Sequence, residues 1–386
     1  MDIYRRSIEL ILQHQADSGA YAASPAFAAY TFCWLRDGSF IAHAMDRVGE
    51  TESARAFFCW VAGVIRRYSW KVDRAVVQVQ NGRTLGKDDY LHTRFTLSGE
   101  EAVDHWWDFQ LDGYGSWLWA LSEHVRMSGD RALASELADT VQVVVNYLTS
   151  LWRLPNYDCW EEFAQYLHPY TLSAIYGGLM AAAKLDSTVA AGAEETAVAI
   201  RQFVLKHGCV NGRLAKSFTT QRSPQIMLDK QAHVYHENGG TRPEVANGVD
   251  ASLIGATTPY GMFAADDPVM QATVAEVAAQ LYRPGGGVYR YAADTYYGGG
   301  EWVNLSAWLG WHYAQNGDKA KGQTLLKWVE AQADEAGNLP EQISTHLLAP
   351  DRFNEWEQRW GTVANPLLWS HAMYLILFHT LNDRGD

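Results

Sequence analysis

Apolar positions repeat with a helical period in three well-separated stretches. Ala54, Phe57, Phe58, Val61, Ala62 and Ile65 fall at i, i+3, i+4, i+7, i+8 and i+11, and Tyr114, Trp117, Leu118, Leu121 and Val125 follow the same rule, as do Leu305, Trp308, Leu309 and His312. This spacing lines one face of a helix with side chains that must be buried against a neighbour. The turns beside these stretches share their punctuation: Val48-Gly49-Glu50-Thr51, Ser128-Gly129-Asp130 and Asn316-Gly317-Asp318. A glycine suited to ending one helix precedes an acidic or hydroxyl residue suited to starting the next, which predicts repeated helical hairpins.

Turn-rich segments at 17–36, 82–110, 153–165, 209–250, 283–300 and 335–366 each lead into a helix that starts with polar or aromatic residues. The predicted starts are Arg36-Asp37, Gln110-Leu111-Asp112, Trp160-Glu161-Glu162, Asp250-Ala251-Ser252, Glu301-Trp302 and Trp369-Ser370-His371. Six hairpins with their informative residues at equivalent ends predict an all-α protein, a closed (α/α)6 barrel whose inner helices present a pocket at one end. No compositional break looks like a linker, so residues 1–386 are read as one domain, and strand-like pieces such as Val288 to Tyr291 as hairpins within loops. Met1 to Gln15 mixes apolar with charged residues and reads as a first helix, not a signal peptide.

Composition narrows the chemistry. A net charge of −13 argues against nucleic acid and offers no basic face to anionic membranes. No stretch approaches the ~18 apolar residues of a membrane span. Cys33, Cys59, Cys159 and Cys209 have neither zinc-ligand nor disulfide-framework spacing, and a reducing cytoplasm is the simplest location. Sixteen Trp, 20 Tyr and 13 Phe are a heavy aromatic load. Most serve the core, but flat aromatic faces also bury the apolar faces of sugar rings.

Several motifs fail on inspection. Gly82 to Asp88 resembles a phosphate-binding loop but is one residue short and lacks the metal-holding hydroxyl; Gly285-Gly286-Gly287 follows Pro284 and opens no helix. His233 and His236 lack a third ligand at a sensible spacing, so no metal or other cofactor is expected. A Gly-x-Ser-x-Gly elbow is absent, leaving a serine nucleophile unsupported.

Two carboxylates from distant segments carry more. Glu161-Glu162 follow Trp160, and Glu341 lies far downstream in Gly337-Asn338-Leu339-Pro340-Glu341-Gln342. Adjacent glutamates are commonly a solvated helix face, and Arg36-Asp37 could be a helix cap beside a surface arginine. Carboxyl groups meeting across a pocket could instead donate a proton to a glycosidic oxygen and activate water on the opposite face. Arg36-Asp37 could clamp sugar hydroxyls, while Arg290 among aromatic residues precedes Gly298-Gly299-Gly300, which permits close backbone approach.

Six collinear segments resemble the inverting glucoamylase-type glycoside hydrolases of family 15, a group that includes glucodextranases, isomaltose-hydrolysing enzymes and some trehalases. They are Tyr30-x-x-x-Trp34-x-Arg36-Asp37, Trp106-x-x-x-Gln110-x-Asp112-Gly113, Tyr157-Asp158-x-Trp160-Glu161-Glu162, Arg290-Tyr291-x-x-Asp294-Thr295-Tyr296-Tyr297 followed by Trp302, Glu341-Gln342, and Leu368-Trp369-Ser370. The resemblance implies an (α/α)6 barrel with Glu161 as general acid, Glu341 as general base and Tyr30 holding the attacking water. It implies that Arg36 and Asp37 clamp the 4- and 6-hydroxyls of the terminal glucose. Arg290 and Glu162 would bind around that sugar, with Trp34, Trp106, Trp160, Tyr296, Trp302 and Trp369 as substrate-binding aromatics. Larger relatives carry an N-terminal β-sandwich or a starch-binding domain, neither of which is read in this sequence, and fungal relatives place an aromatic residue at the position of His371.

The expected activity is therefore exo-hydrolysis of small α-gluco-oligosaccharides from their non-reducing ends, releasing β-glucose, with α-1,6 linkages favoured. An α-1,4-acting enzyme or a trehalase is the alternative within the family. A phosphorylase needs no general base, so Glu341 and the lack of a phosphate-cradling loop count against it; a sugar-binding barrel needs neither carboxylate, so Glu161 and Glu341 together count against that.

Overall fold

The computed structural model describes residues 2–102, 106, 108–186, 188, 190–219 and 248–383. Outer and inner elements alternate along the chain. Outer α1 (Ile3–Gln13) leads to inner α2 (Leu35–Arg47), outer α3 (Thr51–Gln80) to inner α4 (Asp112–Ser128), and outer α5 (Arg131–Glu136) and α6 (Ala138–Leu151) to inner α7 (Pro169–Leu185). Outer α8 (Ala193–His207) precedes an inner 3-10 segment, Ala251–Ala256, and outer α9 (Pro268–Gln280) precedes inner α10 (Val303–Gln315). Outer α11 (Lys319–Glu330) and the short α12 (Phe353–Trp360) then lead to inner α13 (Leu368–Asn382).

Each inner element packs on the next, and α13 packs back on α2 and takes α1 as its outer partner, so the ring closes through the two ends of the described chain. The inner helices are buried all round, as Leu35 to Asp46 of α2 and Leu368 to Leu377 of α13 show, whereas α3 buries a single stripe containing all six of its periodic apolar residues. Between α4 and α7, Gly115 and Gly178 bring the backbones so close that a Cβ on either would collide with main-chain atoms opposite.

The predicted hairpin turns form. Gly129 is left-handed with φ 76°, Asp130 caps the N–H of Leu133, and Asp318 caps that of Lys321. Two predicted helix starts do not. Asp250-Ala251-Ser252 opens only the short 3-10 segment, because Thr258-Pro259 follows and a proline disfavours helical backbone in the residue before it. Trp160-Glu161-Glu162 forms a turn, and the helix begins later, at Pro169.

Short strand pairs knit the loops at one end of the ring. β1 (Cys33–Trp34) pairs antiparallel with β2 (Arg94–Phe95), with Trp34 opposite Arg94. β3 (Cys209–Val210) pairs with β4 (Arg213–Leu214). β5 (Glu301–Trp302) pairs with β6 (Gln342–Ile343), with Trp302 opposite Gln342. In the predicted loop hairpin, Val288 alone of Val288 to Tyr291 makes bridges, to Tyr282 and Trp302. β1 and β5 run directly into α2 and α10, so they fix which side chains stand at the inner-helix starts.

Candidate active site

A pocket opens at this knitted end, with about 770 Å3 of space counted out to its mouth. Tyr30, Trp34, Arg36, Asp37, Trp106, Trp160, Glu161, Glu162, Arg290, Tyr296, Trp302, Glu341 and Trp369 all line it. So do Phe27, Cys159 and Trp360, which the sequence motifs did not single out. His371 is not among the lining residues; it is fully buried behind them.

The Glu161 turn is built by Asp158. One Asp158 carboxylate oxygen accepts from the N–H groups of both Trp160 and Glu162 at 2.9 Å, and the Glu161 N–H donates to the Asp158 carbonyl at 2.9 Å. A side chain that captures its own downstream amides competes with helix formation, which explains the late helix start. Glu161 is thereby held at φ 68° and Phe163 at φ 54°, left-handed conformations uncommon outside glycine. Below the turn, buried Lys216 joins Asp158 at 3.1 Å to Asp250 at 2.5 Å, and Asp250 accepts from the Trp160 indole at 3.0 and 3.1 Å. Lys216 has no local sequence signal and Asp250 signals only an element start; the fold alone brings both to Asp158.

The two candidate catalytic carboxyls are tied to one segment. The Trp34 indole donates to Glu161 at 2.5 Å, and the Tyr30 hydroxyl, four residues earlier, donates to Glu341 at 3.2 Å. The Tyr30 and Trp34 rings meet edge to face, 5.6 Å apart. Gln110 also donates to Glu161, at 3.2 Å, and Tyr296 meets the Tyr30 hydroxyl at 2.8 Å. Trp34 is steadied in turn by the buried Arg94 guanidinium, which lies 5.2 Å from its ring and 3.8 Å from that of Trp106.

Burial raises the Glu161 carboxyl above its usual range, with Arg36, Trp106 and Trp34 pulling it back. Burial pushes Glu341 further, up to about 8, against the opposing pull of Arg290 and Tyr30. Its second oxygen has no hydrogen-bond partner among the described residues. That oxygen suits an acceptor for a water proton, and charge on it would be stabilised once a water donates there.

Arg36 and Asp37 are both buried, 5% and 7% exposed, and the helix cap is Trp34, so neither the surface nor the capping alternative holds. The Arg36 guanidinium binds Asp112 at 3.0 Å and Gln110 at 2.9 Å, approaches Asp37 at 3.4 Å and lies 5.6 Å from the Trp369 ring. One Asp37 oxygen has no hydrogen-bond partner among the described residues, and burial pushes this carboxyl up to about 6 against Arg36. Opposite, Arg290 makes a two-pronged contact with Asp294 at 2.6 and 2.7 Å and approaches Glu162 at 3.5 Å, amid Trp160, Tyr296 and Trp302. Glu162 accepts from the Tyr291 hydroxyl at 2.6 Å, and burial raises its pKa despite Arg290. Fixed buried charges facing a polar, aromatic-walled pocket suit a neutral polyhydroxylated ligand.

No group of side chains suited to a metal ion occurs among the described residues, and the His233 and His236 pair lies outside them. No helix among them is long and apolar enough to cross a membrane.

The sequence matches the family described as Glycosyl hydrolases family 15 over residues 1–379. It is 42% identical, over 384 residues, to an isomaltose glucohydrolase of Kribbella flavida, covering 97% of this chain and 91% of that protein. A solved glycosidase in complex with glucose is 41% identical and superposes with a TM-score of 0.87, covering 98% of this chain and 96% of the other. A bacterial glucoamylase complexed with acarbose, 21% identical, shares the fold at a TM-score of 0.70, with 98% of this chain and 55% of that one covered. The closed six-hairpin ring and its carboxylate-bearing pocket thus have a known kin: this chain belongs to glycosyl hydrolase family 15 and is a glycoside hydrolase.

Proposed function

We propose that the protein is an inverting, exo-acting α-glucosidase that releases β-glucose from the non-reducing ends of isomaltose and short isomalto-oligosaccharides. Arg36 and Asp37 hold the 4- and 6-hydroxyls of the terminal glucose, which only a chain end offers free. Glu161 donates its proton to the glycosidic oxygen as the bond from the anomeric carbon breaks. A water beside Tyr30 attacks that carbon from the other face and gives its proton to Glu341. Glu162 and Arg290 flank the sugars, and the tryptophans bury their apolar faces. No metal or cofactor takes part in these steps. The four unpaired cysteines suit a reducing cytoplasm.

The observation that carries this reading is the tie of both carboxyls to Tyr30 and Trp34 within one pocket. The isomaltose glucohydrolase relative supports the choice of linkage. Glucose release from isomaltose, maltose, nigerose, kojibiose and trehalose tests it. Isomaltose should give the highest kcat/KM, and preference for maltose or trehalose would overturn the linkage while leaving the reaction type standing.

A further inference from the structure

We propose that His371 is a positioning residue for the general base, acting on Glu341 through the backbone of Leu339; this rests on the reading of Glu341 as the base. Glu341 sits on an irregular segment whose placement no helix or long strand guarantees. Every backbone polar group of Leu339-Pro340-Glu341 is nevertheless paired. The Leu339 carbonyl accepts from the Leu367 N–H at 3.0 Å, and the Pro340 carbonyl accepts from the Ser370 hydroxyl at 2.8 Å. The Glu341 N–H donates to Ala364 at 2.9 Å, and its carbonyl accepts from Val303 at 3.1 Å. The remaining group, the Leu339 N–H, donates to Nε2 of His371 at 2.9 Å.

That last bond dictates the state of the imidazole. Nε2 can accept only if it carries no proton, so the proton of neutral His371 lies on Nδ1. Nδ1 then donates to the Ser7 hydroxyl at 2.8 Å, which itself donates to the Ile3 carbonyl at 2.8 Å. Both side chains are 0% exposed, and burial keeps the imidazole neutral, its pKa pushed down to about 3. A hydrogen-bond chain with one permitted direction thus runs from α1 through α13 to the residue two before Glu341. Arg6, also on α1, donates to Asn338 at 3.1 Å at the head of the same segment. The contact that closes the ring is in this way also the contact that locates the base.

The test compares His371→Leu, His371→Gln and Ser7→Ala with Glu161→Gln and Glu341→Gln, on isomaltose and on α-glucosyl fluoride. Fluoride departs with little need of a proton donor, but water must still be activated, so this substrate separates damage to the acid from damage to the base. His371→Leu should lower kcat by about 10- to 100-fold on both substrates, the scale of a small misplacement of a reacting group. KM should stay within about threefold, because the sugar clamp is untouched. His371→Gln, whose carbonyl can accept from Leu339, should recover most of the loss, and Ser7→Ala should show the same pattern more weakly. Glu161→Gln should recover on the fluoride while Glu341→Gln does not. If His371→Leu does not fold, Ser7→Ala decides. Near wild-type kcat in folded His371→Leu or, failing that, in Ser7→Ala, with Glu341→Gln inactive, overturns the inference alone. The inference also falls if either variant recovers on the fluoride as Glu161→Gln does. An active Glu341→Gln overturns the reading beneath it.

Discussion

Replacing Lys216 by methionine removes a cation whose side chain is 2% exposed and which holds two carboxylates, Asp158 and Asp250, themselves 5% and 2% exposed. Breaking a buried ion pair from one side costs about 3–5 kcal/mol, because the charge left behind is uncompensated. Asp158 would keep its bonds from the Trp160 and Glu162 amides, and Asp250 those from the Trp160 indole and Ser252, which places the loss near the lower end, about 3 kcal/mol. Burial pushes the Asp158 carboxyl up, but Lys216, together with His168 and the Glu162 amide, holds it below the ordinary carboxylate value of 3.8. A depressed acid stabilises the fold above its unfolded pKa and loses that contribution as pH falls through the folded value. The gap between wild type and Lys216→Met should therefore be full at neutral pH and shrink below about 3.8. Denaturant unfolding followed by tryptophan fluorescence measures it at both pH values. A loss under about 1 kcal/mol at neutral pH would refute the argument, since surface pairs contribute no more than that.

Three further outcomes follow from the same geometry. Glu161→Gln and Glu341→Gln should each lower kcat by about 10²–10⁴-fold, the usual scale for a positioned acid or base; more than half of wild-type activity in either would remove it from its role. Asp37→Ala should lower kcat as well as raise KM, costing about 10- to 100-fold in kcat/KM for lost charge-assisted hydrogen bonds; an effect on KM alone would mean that it binds without positioning. Because Glu341 must be ionised to act and burial raises its pKa to about 8, kcat/KM should fall as pH drops through an acid limb lying above 4.5. A limb at 4.5 or lower in the pH–rate profile would contradict the dry environment assigned to this carboxyl.

Helical periodicity made the hairpins legible, because a 3.6-residue repeat such as Ala54 to Ile65 forces one face inward whatever packs there. It could not show that the inner element at Ala251–Ala256 stops after six residues, where a proline downstream outweighs the helical start. Many of the pocket residues, Tyr30 and Trp34 among them, were legible only because short motifs such as Tyr30-x-x-x-Trp34 resemble those of family 15. The local backbone was not: Glu161-Glu162 reads as a helix start until Asp158 is seen to take its amides. Lys216, Asp250 and His371 act through partners far away in the chain, so no window of sequence contains their function. Phe27 and Trp360 were indistinguishable from core aromatics, since their exposure to the pocket depends on how the loops close over the ring.

The central claim, that Glu161 and Glu341 act from opposite faces of the sugar in a single displacement, is tested most directly by the anomer first released. Proton NMR of isomaltose hydrolysis, recorded before mutarotation, should show β-glucose accumulating ahead of α-glucose. If α-glucose appears first, the enzyme retains configuration, Glu341 is not the base of an inverting reaction, and the account fails.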